Sequence, residues 1–379
     1  MYLDYAATTP VDARVRDAML PFLGDLYGNP SSVHQAGQRA RRAIDHARDQ
    51  IAQSVGCESG EVYFTSGGTE ADNTALLGVL LASRERGNNH LVTSAIEHHA
   101  VLDCAHFAQT LGFTVTVVPV DHCGRVDPAQ VAEAVTDRTA LISVMHANNE
   151  IGTVQPVAEI AHIAHARGAY FHTDAVQTFG QFPLSLELLG ADLLTLSAHK
   201  IYGPKGVGAL CVRQGVKWTG WLHGGQQERE KRAGTENAAG IVGFGEAVRL
   251  LPEWRDIEAK RLADLRDGFV TDVQTRLPQT VLNGPALYGG GQRLPSNANL
   301  SFPGTDGETL LLSLDLHGIA ASSGSACASG SIEPSHVLLA LGLPLPVATS
   351  AVRFSLGRQT TIEELRYTAD ILAQIVAGK

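Results

Sequence analysis

The sequence predicts an α/β fold: a mostly parallel sheet covered by helices on both faces, followed by a smaller α+β unit. Three observations carry this expectation. Short β-rich runs alternate with helical stretches as far as Val212, the pattern of successive βαβ units. After about Gly225 the turn signals thin out and long helical stretches take over. The chain has 379 residues, 44% of them hydrophobic, enough for a large core and for about two domains.

The elements follow in order. Asp12 to Leu26 carries apolar positions at helical spacing, and Gln35 to Val55 reads as a second helix with Gly56 as its stop. Glu61 to Thr65 is a β-rich run that breaks at Ser66-Gly67-Gly68 and reopens as a helix from Thr69. Strands are then expected at Leu91–Ser94, Phe113–Val118, Thr139–Val144, Ala169–Thr173, Asp192–Leu196 and Val207–Val212. Between them lie helices at His98–Thr110, Pro128–Val135 and Val157–Arg167. Thr235 to Leu277 reads as long helices interrupted near Pro252. The remainder mixes strands near Asn297–Phe302 and Ala351–Leu356 with helices near Glu308–His317 and Ile362–Val376. The expected division is a large domain over residues 12–255 and a small one built from residues 1–11 and 256–379.

Composition narrows the function. A formal charge of −10 disfavours nucleic acid as the main partner. Five cysteines without paired spacing do not make a disulfide framework and suit a reducing compartment. Met1-Tyr2-Leu3-Asp4 lacks the basic and apolar regions of a signal peptide. The longest apolar run, near Ala75–Ala82, is interrupted by Gly78 and too short for a bilayer. A cytoplasmic protein with no membrane partner is expected.

In such sheets ligands bind at the carboxyl ends of the strands, so the loops that leave predicted strands matter most. Thr65-Ser66-Gly67-Gly68-Thr69-Glu70 opens a helix with small residues, which suits a phosphate but equally a plain tight turn. His98, in Glu97-His98-His99, could stack on a flat ligand and move protons, or simply start a helix. Neither the His98-His99 pair nor His162 and His165 offers a complete metal ligand set, so no metal is expected. The polar run His146-Ala147-Asn148-Asn149-Glu150 needs partners from backbone or ligand. Asp174 ends a strand and Gln177 follows three residues later; together they could meet a protonated ring nitrogen and a phenolic oxygen, although Asp174 could also cap a helix. Ser197-Ala198-His199-Lys200 follows a strand directly, and a desolvated lysine there is nucleophilic toward an aldehyde. Lys205, between Pro204 and Gly206, reads as an ordinary exposed lysine. Finally, Ser322-Ser323-Gly324-Ser325-Ala326-Cys327 cannot build core, which makes Cys327 the candidate reactive thiol; Cys57, Cys104, Cys123 and Cys211 fit bland roles.

One ligand accounts for five groups on four of these loops. Pyridoxal 5'-phosphate has an aldehyde for Lys200, a phosphate for the Gly67-Gly68-Thr69 turn, a ring nitrogen for Asp174, a phenolic oxygen for Gln177 and a flat face for His98.

With these residues in view, the sequence resembles the cysteine desulfurases, in the class-V aminotransferase-like group of fold-type I pyridoxal-phosphate enzymes. The resemblance runs from Tyr2-Leu3-Asp4-Tyr5-Ala6-Ala7-Thr8-Thr9-Pro10 through Tyr27-Gly28-Asn29-Pro30-Ser31-Ser32 to Val352-Arg353-Phe354-Ser355. Its most specific parts are the stretch Ser197 to Gly206 and the Ser322–Cys327 loop, which is similar to the branch with the longer cysteine loop. The resemblance implies a seven-stranded sheet, Lys200 as the Schiff-base lysine, and Gly68, Thr69, Ser197 and His199 around the phosphate. It further implies Asn149 and Arg353 on the substrate carboxylate, and Thr235 reaching the cofactor of a neighbouring subunit in a homodimer. L-cysteine would become L-alanine, with His98 assisting proton movement and Cys327 carrying the sulfur as a persulfide. A sulfur-acceptor protein, such as an iron–sulfur scaffold, would take it onward for clusters, thio-cofactors or tRNA. His99 stands where Lys or Pro often follows the active-site histidine. Alternatives within the same fold are aminotransfer and selenocysteine cleavage; a non-catalytic sulfur-trafficking scaffold is disfavoured by the presence of both Lys200 and Cys327.

Overall fold

The computed structural model describes residues 1–287, 292–323 and 334–378. Seven strands form the main sheet: β1 (Val62–Thr65), β2 (His90–Ser94), β3 (Thr114–Val118), β4 (Thr139–Ser143), β5 (Tyr170–Asp174), β6 (Leu193–Ser197) and β7 (Gly208–Val212). Their spatial order is β1-β7-β6-β5-β4-β2-β3. From β6 to β3 every pairing is parallel, and β7 runs antiparallel to both of its neighbours. The α/β expectation with a mostly parallel seven-stranded sheet therefore holds. Every residue of β2, β4, β6 and β7 is buried, as expected where helices cover both faces.

A second, antiparallel sheet joins β8 (Val281–Leu282), β9 (Asn297–Ser301) and β10 (Ala351–Ser355) in the order β10-β9-β8. It has its own apolar cluster with Phe269, Phe302, Leu310, Phe354 and Leu372. The first residues of the chain join this unit. Leu3 N–H donates to the Ala320 carbonyl at 2.8 Å, and Ser355 N–H donates to the Leu3 carbonyl at 2.8 Å.

Local signals explain most boundaries. The helix Gln35–Val55 ends where Gly56 turns left-handed (φ 65°), a conformation costly for any residue with a Cβ. Asp127 caps Pro128–Ala134 by accepting from Ala129 N–H, with proline in the first turn where its missing N–H costs nothing.

One expectation fails. The interruption near Pro252 does not occur: Ala238–Arg276 is a single helix of 39 residues with Pro252 inside it. A proline in a helix interior costs about 3 kcal/mol or more. Here the cost is outweighed by burial on both sides of it. Ile241, Phe244, Val248 and Leu251 pack into the main-sheet core, while Leu262, Phe269, Val270 and Val273 pack into the second cluster. Among the described residues, no helix is long and apolar enough to cross a membrane.

Candidate active site

The carboxyl ends of β5 and β6, the amino end of the helix Gly68–Ser83 and the N-terminal segment enclose a cavity of about 380 Å³. Its lining includes Gly68, Thr69, His98, Asn149, Asp174, Gln177, Ser197, His199, Lys200 and Arg353. The sequence reading spread these residues over 286 positions of chain, and the topology brings all of them to one place. Thr235 is not among them. It is exposed on a separate cavity of about 140 Å³, beside Ser66 and Arg232. Cys327 lies outside the described residues.

Each side chain is placed by its element. Lys200 ends a single helical turn, Ala198–Lys200, directly after β6. Its ammonium donates to the Ala6 carbonyl and, at 2.8 Å, to the Ala7 carbonyl, so the N-terminal segment forms one wall around it. Gln177 Nε2 donates to the same Ala6 carbonyl at 3.1 Å. Asp174 is the last residue of β5 and only 7% exposed. One carboxylate oxygen accepts from Val176 N–H at 2.8 Å, but residues 176–178 form a turn and no helix starts there, so the helix-capping alternative does not hold. Burial pushes its carboxyl up to about 6, against the opposing pull of the Val176 hydrogen bond and the Lys200 charge.

His98 caps the helix His99–Thr110, its Nδ1 accepting from Ala100 N–H at 3.1 Å. That bond leaves the ring proton on Nε2. Burial, then the nearby Lys200 charge, lower its pKa to about 4, so the ring is neutral at physiological pH. His199 is held by Thr8, with Nδ1 3.1 Å from Thr8 Oγ1, and burial lowers its pKa to about 4 as well. Arg353 is 2% exposed on β10. Its guanidinium donates to Asp4 Oδ1 at 2.7 Å and to the Asn149 carbonyl at 3.1 Å, while its Nε has no partner.

The surroundings of Gly68 suit a phosphate. Gly68 opens a helix of 16 residues, whose first N–H groups and dipole favour an anion. A Cβ at Gly68 would stand 3.0 Å from Val176 Cγ2 and 3.9 Å from Ser197 Cβ, so glycine keeps that space open. Ser197 Oγ, buried on the opposite side of that space, has no hydrogen-bond partner. A buried hydroxyl is seldom left so unless a ligand completes it.

Sequence reasoning missed two acids of the cavity region. Asp72 is 1% exposed and lines the cavity, with Oδ1 unpartnered and 3.6 Å from His172 Nε2. Burial, followed by the charge of Asp174, raises its pKa well above the usual carboxylate range. Its position three residues after Thr69 on one helix puts both on the same face, a spacing that could have revealed it. Glu97 is wholly enclosed beneath His98, accepting from Ser94 Oγ at 2.5 Å and Met145 N–H at 2.9 Å, and burial pushes it up to about 8. Two of the bland thiols behave as expected: Cys104 and Cys211 are buried, and burial lifts Cys104 to about 12.

The Aminotransferase class-V family matches residues 1–367. A protein described as "Cysteine desulfurase IscS" from Dictyoglomus turgidum is 52% identical over 376 residues, covering 99% of this chain and 94% of its own length. The chain belongs to the class-V aminotransferases, among the cysteine desulfurases. A second cysteine desulfurase, from Methanosarcina thermophila, is 47% identical over 99% of this chain and 92% of its own. Of solved structures, a NifS-like protein superposes with a TM-score of 0.93 at 37% identity, each chain covered completely. A structure described as "SspA in complex with cysteine" gives a TM-score of 0.80 at 35% identity, covering 94% of this chain and 98% of its own. As a cysteine desulfurase of this family the enzyme depends on pyridoxal phosphate, and the cavity just described fits that group.

Proposed function

We propose that this desulfurase takes sulfur from L-cysteine with the residues gathered in the 380 Å³ cavity, and that Cys327 receives it. The observation that supports this most is the convergence of Lys200, Asp174 and the unpartnered Ser197 hydroxyl on one cavity at the sheet's carboxyl edge. In this reading Gly68, Thr69, Ser197 and His199 hold the cofactor phosphate, Asp174 faces the ring nitrogen and Gln177 the phenolic oxygen. When bound, pyridoxal phosphate supplies an aldehyde for amine attachment and an electron sink for charge at the substrate Cα.

The remaining work falls to the chain's own groups. Lys200 would be the amine that holds the cofactor's aldehyde and, as a free amine, would take the substrate Cα proton. Arg353 and Asn149 bind the substrate carboxylate, a task for which a guanidinium's geometry is well matched. Neutral His98, with its proton on Nε2, moves a proton at the substrate sulfur. The Cys327 thiolate attacks that sulfur. The C–S bond breaks with its electron pair left on Cβ, an S–S bond forms, and protonation of Cβ together with return of the Cα proton by Lys200 gives alanine.

The same reading makes the enzyme a cytoplasmic homodimer in which Thr235 of each subunit reaches the other's cofactor. It passes its persulfide sulfur to an acceptor protein of iron–sulfur or related thio-product assembly. It also divides the chain into residues 12–255 and residues 1–11 with 256–379, a division supported by the two apolar clusters. Mass spectrometry after L-cysteine treatment tests the assignment. Added sulfur should appear on Cys327, and Cys327→Ala should stop alanine formation while keeping the bound-cofactor absorbance. Sulfur on Cys57 or Cys123 instead, with Cys327 unmodified, would refute it.

A further inference from the structure

The segment 226–235 crosses the open edge of the main sheet, and its backbone is unusual. Glu228, Arg229 and Glu230 are three consecutive non-glycine residues in the left-handed region (φ 46°, 56° and 65°). Such conformations cost of order 1 kcal/mol or more per residue and persist only where surrounding contacts over-determine them.

Those contacts all run to one place. Glu228, 5% exposed, accepts from Arg48 Nη1 and Nη2 at 2.8 and 2.7 Å and from Phe64 N–H at 3.0 Å. Arg48 and Arg229 each donate to the Val62 carbonyl at 2.6 Å, and the Arg229 guanidinium lies 4.2 Å over the Tyr63 ring. Val62, Tyr63 and Phe64 belong to β1, the edge strand. The segment thus supplies the hydrogen bonds that a neighbouring strand would otherwise provide.

Four residues later the segment grips the next piece of chain. Arg232 donates to Glu70 through Nε at 2.7 Å and Nη2 at 3.2 Å, and Glu70 Oε2 accepts from Ser66 N–H at 2.8 Å. Ser66 and Glu70 bracket Gly67-Gly68-Thr69, the turn assigned above to the phosphate. Glu70 therefore closes that turn on itself, and Arg232 fixes Glu70.

We propose that residues 226–235 form a strap whose two clasps, Glu228 on β1 and Arg232 on Glu70, set the geometry of the phosphate turn, making Glu70 and Arg232 positioning residues for the cofactor. This rests on the reading that the phosphate sits at Gly68 and Thr69. Neither clasp touches the cavity that holds Lys200. Their effect passes through the backbone of residues 62–70, where the strand end and helix start must keep one relative position for the N–H groups to converge.

The test is cofactor binding by the full chain stripped of pyridoxal phosphate, followed by absorbance of the bound form. Arg232→Gln and Glu70→Gln should each raise the half-saturating concentration about tenfold, and the double variant no further, because both act through one contact. Arg232→Lys should recover part of the loss. The thermal midpoint of the cofactor-free protein should stay the same in all four variants, which a general structural defect would not allow. Half-saturation within twofold of the parent in both single variants, or losses that multiply in the double, overturns the strap. Ser197→Ala and Thr69→Val report on the underlying reading separately. If these bind the cofactor like the parent, the phosphate is elsewhere; if they fail while Arg232→Gln binds normally, only the strap is wrong.

Discussion

Two clusters of ionisable side chains lie near the Gly67-Gly68-Thr69 turn, and they are built on opposite plans. Along the β1 edge the charges come in opposite pairs: Arg48 with Glu228, Arg232 with Glu70, Arg41 with Glu236. Around the cavity acids crowd together, Asp72 and Asp174 at its lining with Glu97 close enough to add its charge to Asp72, beside histidines that burial keeps neutral. Ser197 Oγ, Asp72 Oδ1 and Arg353 Nε are left without partners there, whereas along the edge one oxygen of Glu236 is in that position. A cluster that serves rigidity completes its own hydrogen bonds; one that receives a ligand leaves them incomplete and its acids perturbed.

The contrast can be broken most forcefully at its chemical centre. Lys200→Ala should lower alanine production by ~10³-fold or more and abolish the bound-cofactor absorbance, with little change in folding. A variant that kept a tenth of the activity would remove the cavity from the mechanism. The Glu228 clasp should instead answer in stability. Glu228→Ala leaves Arg48 buried and unpaired, and should cost about 3–5 kcal/mol in denaturant unfolding of the cofactor-free protein. A loss below 1 kcal/mol would mean the ion pair is not what holds the left-handed turn.

A smaller effect separates the clusters by pH. Glu97 stays protonated in the fold up to about 8, whereas an unfolded glutamate ionises near 4.5. Above the unfolded value the folded chain retains a proton that the unfolded chain has released, so stability falls as pH rises. Between pH 6.5 and 8 the loss at this residue should be ~2 kcal/mol, partly offset because His98 and His199, neutral in the fold, still release protons from the unfolded chain there. Unfolding of the cofactor-free protein across that window should show the parent losing stability relative to Glu97→Gln. An equal slope in the variant would assign the decline to another group. The smallest change is expected from Asp72→Asn. Because burial and the Asp174 charge push Asp72 well above the usual carboxylate range, the neutral isostere should alter turnover by less than about threefold, whereas Asp174→Asn should reduce it by ~10²-fold. Equal losses would show that both carboxylates work as anions.

Much of the site was legible because its chemistry concentrates at strand ends. Lys200 follows β6 directly, Asp174 closes β5, and the Ser66–Thr69 turn leaves β1, so each could be found from a break in periodicity. Asp72 and Glu97 could not be found this way. One sits inside a helix, marked only by its three-residue spacing from Thr69, and the other beside a histidine that drew the attention; neither interrupts the periodicity. Glu228 was equally silent, because Gln-Gln-Glu-Arg-Glu-Lys reads as a solvated charged run until Arg48, 180 residues earlier, is placed against it. Pro252 misled for a related reason: the local cost of a proline is visible in sequence, but the two cores that outweigh it are not.

By itself, then, the sequence determined the element types, the strand-end residues and the family, since these depend on local pattern and on short motifs whose spacing is fixed by the chain. Only the tertiary structure decided which carboxylates share a cavity, which arginine neutralises which glutamate, and where a strained turn is held in place. Burial and pairing are properties of distance in space, and the free energy of a charge depends on what surrounds it rather than on what precedes it in the chain.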